Sequence, residues 1–87
     1  MQVQKALQVS SGHRVEFGNA TWHNGCFSLR DRWDTANGGF SPRSSSEIPV
    51  ESFEALIKIG ADNDAFTTAA AAAMIAALAE MIKKRHP

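Results

Sequence analysis

Residues 27–53 decide the fold, and they read FSLRDRWDTANGGFSPRSSSEIPVESF. The first seven residues alternate between apolar and polar side chains, which is the period of a half-buried β-strand. This alternation puts Arg30 and Arg32 on the same face of the strand. Gly38-Gly39 predicts a turn after it, and Pro49 predicts a helix start because proline is tolerated in a first helical turn. The stretch therefore predicts the end of a β-sheet followed directly by a helix.

The rest of the chain extends this to four strands followed by two helices, an α+β fold in one domain over residues 1–87. Residues 1–49 are assigned to the sheet. Asn24-Gly25 predicts the hairpin turn between the second and third strands, because this dipeptide accepts positive φ at low cost. The predicted strands are 3–9, 13–22, 26–34 and about 39–43, the last of which resumes near Ile48.

Side-chain alternation also assigns faces to the strands. Arg14 and Glu16 are expected to point outward, and Gly18 is a candidate bulge position. Cys26 is expected to be a small buried side chain within the third strand. The expected inward or shared-face side chains are Val3, Leu7 and Val9 on the first strand, and Val15 and Phe17 on the second.

The two helices are predicted over residues 50–60 and 64–85. Gly60 is expected to end or bend the first helix, and residues 62–64 are candidate caps of the second. The second helix is rich in alanine and uncharged between Asp64 and Glu80, which predicts packing on more than one side. We interpret this as a homodimer contact; the alternative is a helix folded back on its own sheet. The expected interface residues are Phe53, Phe66, Met74 and Leu78.

The formal net charge is zero, so the chain as a whole is not a polycation, but its charge is unevenly distributed. Residues 1–46 carry a balance of +2, residues 47–66 a balance of −4, and residues 67–87 a balance of +2. A basic sheet beside an acidic helix directs an anion to one face of a protein.

No catalytic or metal-binding pattern is present in the sequence. Cys26 is the single cysteine, which excludes an intrachain disulfide and a cysteine-based zinc site. His13 and His23 are expected at opposite ends of one strand, and His86 in a tail, so no metal is expected. No nucleophile has a base at a suitable spacing, and we expect neither enzyme activity nor a cofactor. The longest apolar run, Ala69 to Ala79, has 11 residues, too few to span a bilayer.

The stretch from Trp22 to Phe66 resembles the DNA-binding domain of the positive cofactor four family of transcriptional coactivators. The resemblance implies a curved antiparallel four-stranded sheet backed by a helix, a whirly-like domain. It also implies dimerisation through the helices and binding of single-stranded DNA with little sequence preference. The matching features are Arg30-Asp31-Arg32-Trp33, Gly38-Gly39, Pro42-Arg43, Ser44 to Ile48, and Glu51-Ser52-Phe53.

The resemblance also suggests which side chains contact DNA. Arg30 and Trp33 match contacting positions, Trp22 matches a stacking aromatic if the hairpin differs by one residue, and Arg43 lies in the basic segment after the proline. Residues 44–46 are serines where the family has further basic residues, which implies weaker attraction of phosphates. Together with the face assignments, the predicted nucleic-acid-binding set is Arg14, Trp22, Arg30, Arg32, Trp33 and Arg43.

Other interpretations of these residues stay open at the level of sequence. Trp33 is an odd number of residues away from Arg30 and Arg32. On a regular strand it therefore lies on the face opposite theirs, toward the core or a dimer partner. Arg30 and Arg32 have the alternative of pairing with Asp31 and Glu16. The expected partners are single-stranded or melted DNA, a second copy of the chain, and proteins of transcription or replication. The expected location is a bacterial or phage-infected cytoplasm, or a nucleus. The alternative function is a non-catalytic protein–protein interaction module or structural dimer.

Overall fold

The structure is a computed structural model that describes residues 1–87. It contains a four-stranded antiparallel sheet followed by two α-helices, which confirms the predicted α+β class. The chain divides into two compact units, Met1–Phe53 and Glu54–Pro87. The elements are β1 (Gln2–Ser10), β2 (His13–Asn19), β3 (Phe27–Trp33), β4 (Ser46–Pro49), a 3₁₀ turn (Val50–Ser52), α1 (Phe53–Asp62) and α2 (Thr68–Arg85).

The four strands lie side by side in chain order, and their register sorts the side chains onto two faces. Residues paired across neighbouring strands project to the same side of a sheet. The apolar face carries Leu7, Val15, Phe17, Leu29 and Ile48. The arginine face carries Arg14, Glu16, Ser28, Arg30 and Arg32. Val15 and Phe17 therefore share a face as predicted, but the outward position predicted for Glu16 is wrong, because only 2% of this residue is exposed.

Strand β1 departs from the predicted regular alternation. Val3 pairs with Gly18 whereas Leu7 pairs with Val15, so the two side chains lie on opposite faces. The cause is a register shift between Val3 and Lys5, and a second shift follows Gln8. The predicted single face for Val3, Leu7 and Val9 is therefore wrong.

Gly18 itself is regularly paired, and the irregularity predicted at this position lies in β1 opposite it. A Cβ atom at Gly18 would lie 2.0 Å from the carbonyl oxygen of Gln2. Glycine is therefore required here because the irregular β1 backbone passes directly over the β2 backbone.

The connection between β2 and β3 runs from Ala20 to Cys26 and is longer than predicted, because β2 ends at Asn19. The amide of Cys26 donates to the carbonyl of His23 at 3.0 Å, with Asn24-Gly25 at the centre of the turn. The turn is confirmed, but neither central residue has positive φ, so the reason given for it is wrong. Cys26 is exposed in this connection, and its predicted burial within a strand is also wrong.

The predicted fourth strand at 39–43 is wrong, whereas the pairing near Ile48 is correct. Phe40 forms only an isolated bridge to Asp34, and β4 begins at Ser46. The Gly-Gly turn is present, with Gly38 at φ 84°. Pro42 lacks the amide that a ladder needs, so a strand cannot run through this segment as a regular partner.

Both predicted helix boundaries around residues 60–68 are wrong. Helix α1 continues past Gly60 to Asp62, and α2 begins at Thr68. The cap of α2 is Thr67, whose hydroxyl oxygen accepts from the amide of Ala70 at 3.1 Å. Gly60 serves a different purpose, because a Cβ there would lie 2.6 Å from the ring of Phe66. Neither helix is both long and apolar enough to cross a membrane.

Candidate nucleic-acid interface

A buried carboxylate organises the arginine face. Glu16 lies opposite Arg30 in the β2–β3 ladder, and Arg14 lies opposite Arg32. Arg30 directs Nε and Nη2 to Oε1 of Glu16 at 2.8 and 2.7 Å. Arg14 Nε lies 3.3 Å from Oε2, and Arg32 Nη1 lies 3.9 Å from the same oxygen. One negative charge is thus shared by three guanidinium groups.

Phe40 and Asp34 complete this cluster. Arg32 donates through Nε to Asp34 at 3.2 Å. The guanidinium carbons of Arg30 and Arg32 lie 4.7 and 5.2 Å from the centroid of the exposed Phe40 ring, which is cation–π distance. The alternative in which these arginines pair with Glu16 is therefore observed, whereas no pair with Asp31 forms. The binding of a ligand by the same arginines stays a prediction.

Trp33 does not lie beside the arginines, because it pairs with His13 on the opposite face of the sheet. The two rings stack with centroids 3.7 Å apart and planes inclined by 7°. The indole Nε1 donates to Asp31 Oδ2 at 3.0 Å, and the His13 ring forms a hydrogen bond with the other oxygen of Asp31. Trp33 is nevertheless exposed, so it is not a core residue. A DNA strand that contacts both Trp33 and the arginines has to pass around an edge of the β-sheet.

The hydrogen bond from His13 holds the pKa of Asp31 below its ordinary value of 3.8. A carboxylate with a lowered pKa stabilises the fold above its unfolded pKa, and this stabilisation is lost as the pH falls through the folded value. We expect Asp31→Asn to lower the unfolding free energy at pH 7 by less than about 1 kcal/mol, because solvent screens this half-exposed group. The loss should shrink below pH ~4. Urea unfolding at several pH values measures it, and a loss independent of pH would contradict this cause.

Trp22 lies in a connection that is tied to β4. The neighbouring Thr21 donates through its amide to Glu47 Oε2 at 2.9 Å and through its hydroxyl to Oε1 at 2.7 Å. Burial raises the pKa of Glu47, but the two hydrogen bonds from Thr21 help to outweigh it and lower the pKa overall. Trp22 is exposed beside this anchor, so its position is restrained while its ring faces solvent.

The remaining predicted residues are more dispersed. Arg43 is exposed in the connection between β3 and β4, not on a strand. Phe66 and Met74 are partly buried, and the Phe66 ring packs against Gly60 within the same unit. Leu78 is 50% exposed and is available to a partner.

The predicted site left out four residues that the structure places around the arginines or Trp33: Glu16 and Asp31, which were considered only as ion-pair partners of the arginines, Phe40 and His13. Glu16 is two residues from Arg14 and therefore lies on the same face of β2. This spacing was the available signal that Glu16 would meet arginines across the ladder. Phe40 lies in an irregular segment after the Gly-Gly turn, where no periodicity assigns a face. His13 and Asp31 are separated by 18 residues, and only the β2–β3 register brings them together.

The structure contains no group of three or more histidine, cysteine, aspartate or glutamate side chains arranged to hold a metal ion. What the arrangement offers is cationic and aromatic surface. No family model, curated protein or solved structure matches the chain, so the resemblance to the positive cofactor four family stays a prediction.

Proposed function

We propose that this chain is a non-catalytic, sequence-independent single-stranded DNA-binding protein that acts as a homodimer in transcription, replication or recombination. The observation that carries the proposal is the arginine face, on which Arg30 and Arg32 lie over the exposed ring of Phe40 and Arg14 joins them through Glu16. Guanidinium groups neutralise phosphates, and an exposed aromatic ring stacks with a base. The combination is typical of surfaces that bind single strands.

The aromatic component favours single strands over duplex. In a duplex the bases stack on one another, and their faces are closed to protein side chains. Phe40 on the arginine face and Trp22 in the β2–β3 connection are both exposed rings on which an unstacked base can lie. Because the arginines contact phosphates and rings accept every base, little sequence preference is expected.

The dimer is supported by the distribution of apolar side chains. Ala20 is the only buried hydrophobic residue, and many large apolar side chains are exposed, among them Ile75, Leu78, Met81 and Ile82 of α2. Exposed apolar surface on this scale marks an interaction site. A twofold axis would relate the arginine faces of the two copies with opposite polarity.

The same exposed apolar residues favour a second candidate, a protein–protein interaction module or structural dimer without a nucleic-acid ligand. The two candidates differ in one measurable property. An electrophoretic comparison of single-stranded DNA, duplex DNA and RNA detects a ligand for the first candidate and none for the second.

We expect the protein to bind an oligo-dT strand more tightly than a duplex of equal length, and to bind it more weakly as salt rises. Phe40→Ala and Trp22→Ala should each weaken binding by ~1–3 kcal/mol. Phe27→Ala is the matched control, because this exposed ring lies on the opposite face, stacked on Phe17. Fluorescence anisotropy measures all of these affinities. Equal affinity of the wild-type protein for duplex and single-stranded DNA at moderate salt would contradict the proposal.

A further inference from the structure

We propose that Arg14 and Arg32 form a clamp for one phosphodiester group of the strand. The inference rests on the proposed function and names the point where the backbone is held. The clamp excludes Arg30, although the family resemblance matched Arg30, and neither Arg14 nor Arg32, to a DNA-contacting position.

The clamp follows from the register of β2 and β3. Arg14 and Arg32 are direct cross-strand neighbours on the same face. Like charges in this relation repel and destabilise a sheet unless an anion lies between them. Glu16 supplies part of the negative charge between them, because both side chains contact its Oε2 atom, at 3.3 Å from Arg14 and 3.9 Å from Arg32. Two groups that contact one oxygen atom are close enough to contact one phosphate.

The hydrogen-bond donors that remain free distinguish the three arginines. Arg30 commits both Nε and Nη2 to Glu16 and keeps only 15% of its side chain exposed, so its role is to hold the carboxylate in place. Arg14 commits only Nε and is 36% exposed, which leaves both terminal nitrogens free. Arg32 commits Nε to Asp34 and contacts Glu16 through Nη1, which leaves Nη2. Arg30 likewise keeps Nη1, but Arg14 and Arg32 are the two that lie opposite each other in the ladder and contact the same oxygen of Glu16, so their free donors can meet at one ligand.

The charge balance also favours an external anion. Glu16 and Asp34 are the two carboxylates within ion-pair distance of the three arginines, whereas Glu47, opposite Arg30 in β4, accepts its hydrogen bonds from Thr21, so direct ion pairs leave one guanidinium charge over. Glu16 is buried and cannot move outward to compensate it. A phosphate that approaches from solvent meets terminal guanidinium nitrogens that the fold has already oriented, which lowers the entropic cost of binding.

The test is the salt dependence of oligo-dT binding for Arg14→Gln, Arg32→Gln and the double variant. Each phosphate contact on a single strand contributes a slope of ~0.7 in log affinity against log salt. If both arginines hold one phosphate, the double variant should lose about 0.7 in slope, whereas two independent contacts would lose about 1.4 and overturn the clamp. Lys5→Gln is the control, since Lys5 is an exposed cation that pairs with Phe17 on the opposite face.

An oligonucleotide with a neutral methylphosphonate backbone provides the second arm. Wild-type protein and the double variant should bind it equally, because the clamp has no charge to hold; a persistent difference would overturn the clamp. Circular dichroism establishes folding, and Arg32→Met, which removes the charge but keeps a long side chain, replaces Arg32→Gln if the latter unfolds. Wild-type protein that binds no single strand refutes the proposed function, whereas normal binding by the double variant refutes only the clamp.

Discussion

Replacing Gly18 with alanine is expected to separate β1 from β2 and to remove most of the stability of the sheet. The new Cβ would lie 2.0 Å from the carbonyl oxygen of Gln2, 2.8 Å from its carbon and 2.9 Å from Cα of Val3. All three contacts are backbone atoms, which cannot rotate away as a side chain can. Overpacking of this kind costs about 3 kcal/mol or more. Urea unfolding measures the loss, and amide exchange should locate it in β1.

Gly39→Ala is the matched control for this substitution. Its Cβ would meet only the hydroxyl oxygen of Thr35, at 3.3 Å, and a hydroxyl can rotate. The expected change is within about 1 kcal/mol, as for most surface substitutions. If Gly18→Ala is as stable as Gly39→Ala, the close approach of β1 over Gly18 is not present in solution.

The parts of the fold that sequence predicts correctly have a local cause. The alternation in residues 27–33 places Arg30 and Arg32 on one face, because side chains of a strand alternate whatever the strand pairs with. The turns at Asn24-Gly25 and Gly38-Gly39 and the helix start after Pro49 likewise depend on neighbouring residues. These features need no knowledge of the rest of the chain.

The parts that sequence misses depend on contacts between distant segments. The shift in β1 arises where its backbone crosses Gly18, and no pattern within β1 encodes it. Residues 62–64 and Thr67 all suit a helix cap, and composition does not choose between them. The choice of Thr67 accompanies the packing of Phe66 on Gly60.

The same distinction holds for the candidate site. Parity identifies the arginines, but the burial of Glu16 follows from having Arg14 beside it on its strand and Arg30 and Arg32 across from it. A carboxylate with three guanidinium partners can be desolvated, whereas an isolated one cannot. The alternation of side chains also predicts correctly that Trp33 does not lie on the arginine face. The aromatic ring on that face is Phe40, which comes from an irregular segment with no alternation to predict its position.

Helix α2 provides the surface for the predicted dimer. Ile75, Leu78 and Ile82 recur at helical spacing and are all exposed, as is Met81. Fully burying a large side chain contributes ~1.5–3 kcal/mol, so we expect this stripe of four from each copy to supply most of the free energy of association.

We therefore expect wild-type protein to sediment as a dimer at low micromolar concentration and Leu78→Glu to sediment as a monomer. The substitution removes a central apolar contact and places two carboxylates together across the twofold axis, which should weaken dimerisation by at least ~100-fold, or ~2.7 kcal/mol. Ala76→Glu is the control, because it adds the same charge about 160° around the helix from Leu78. It should leave the dimer intact. A stable wild-type monomer, or equal dissociation by both variants, would show that this stripe is not the interface.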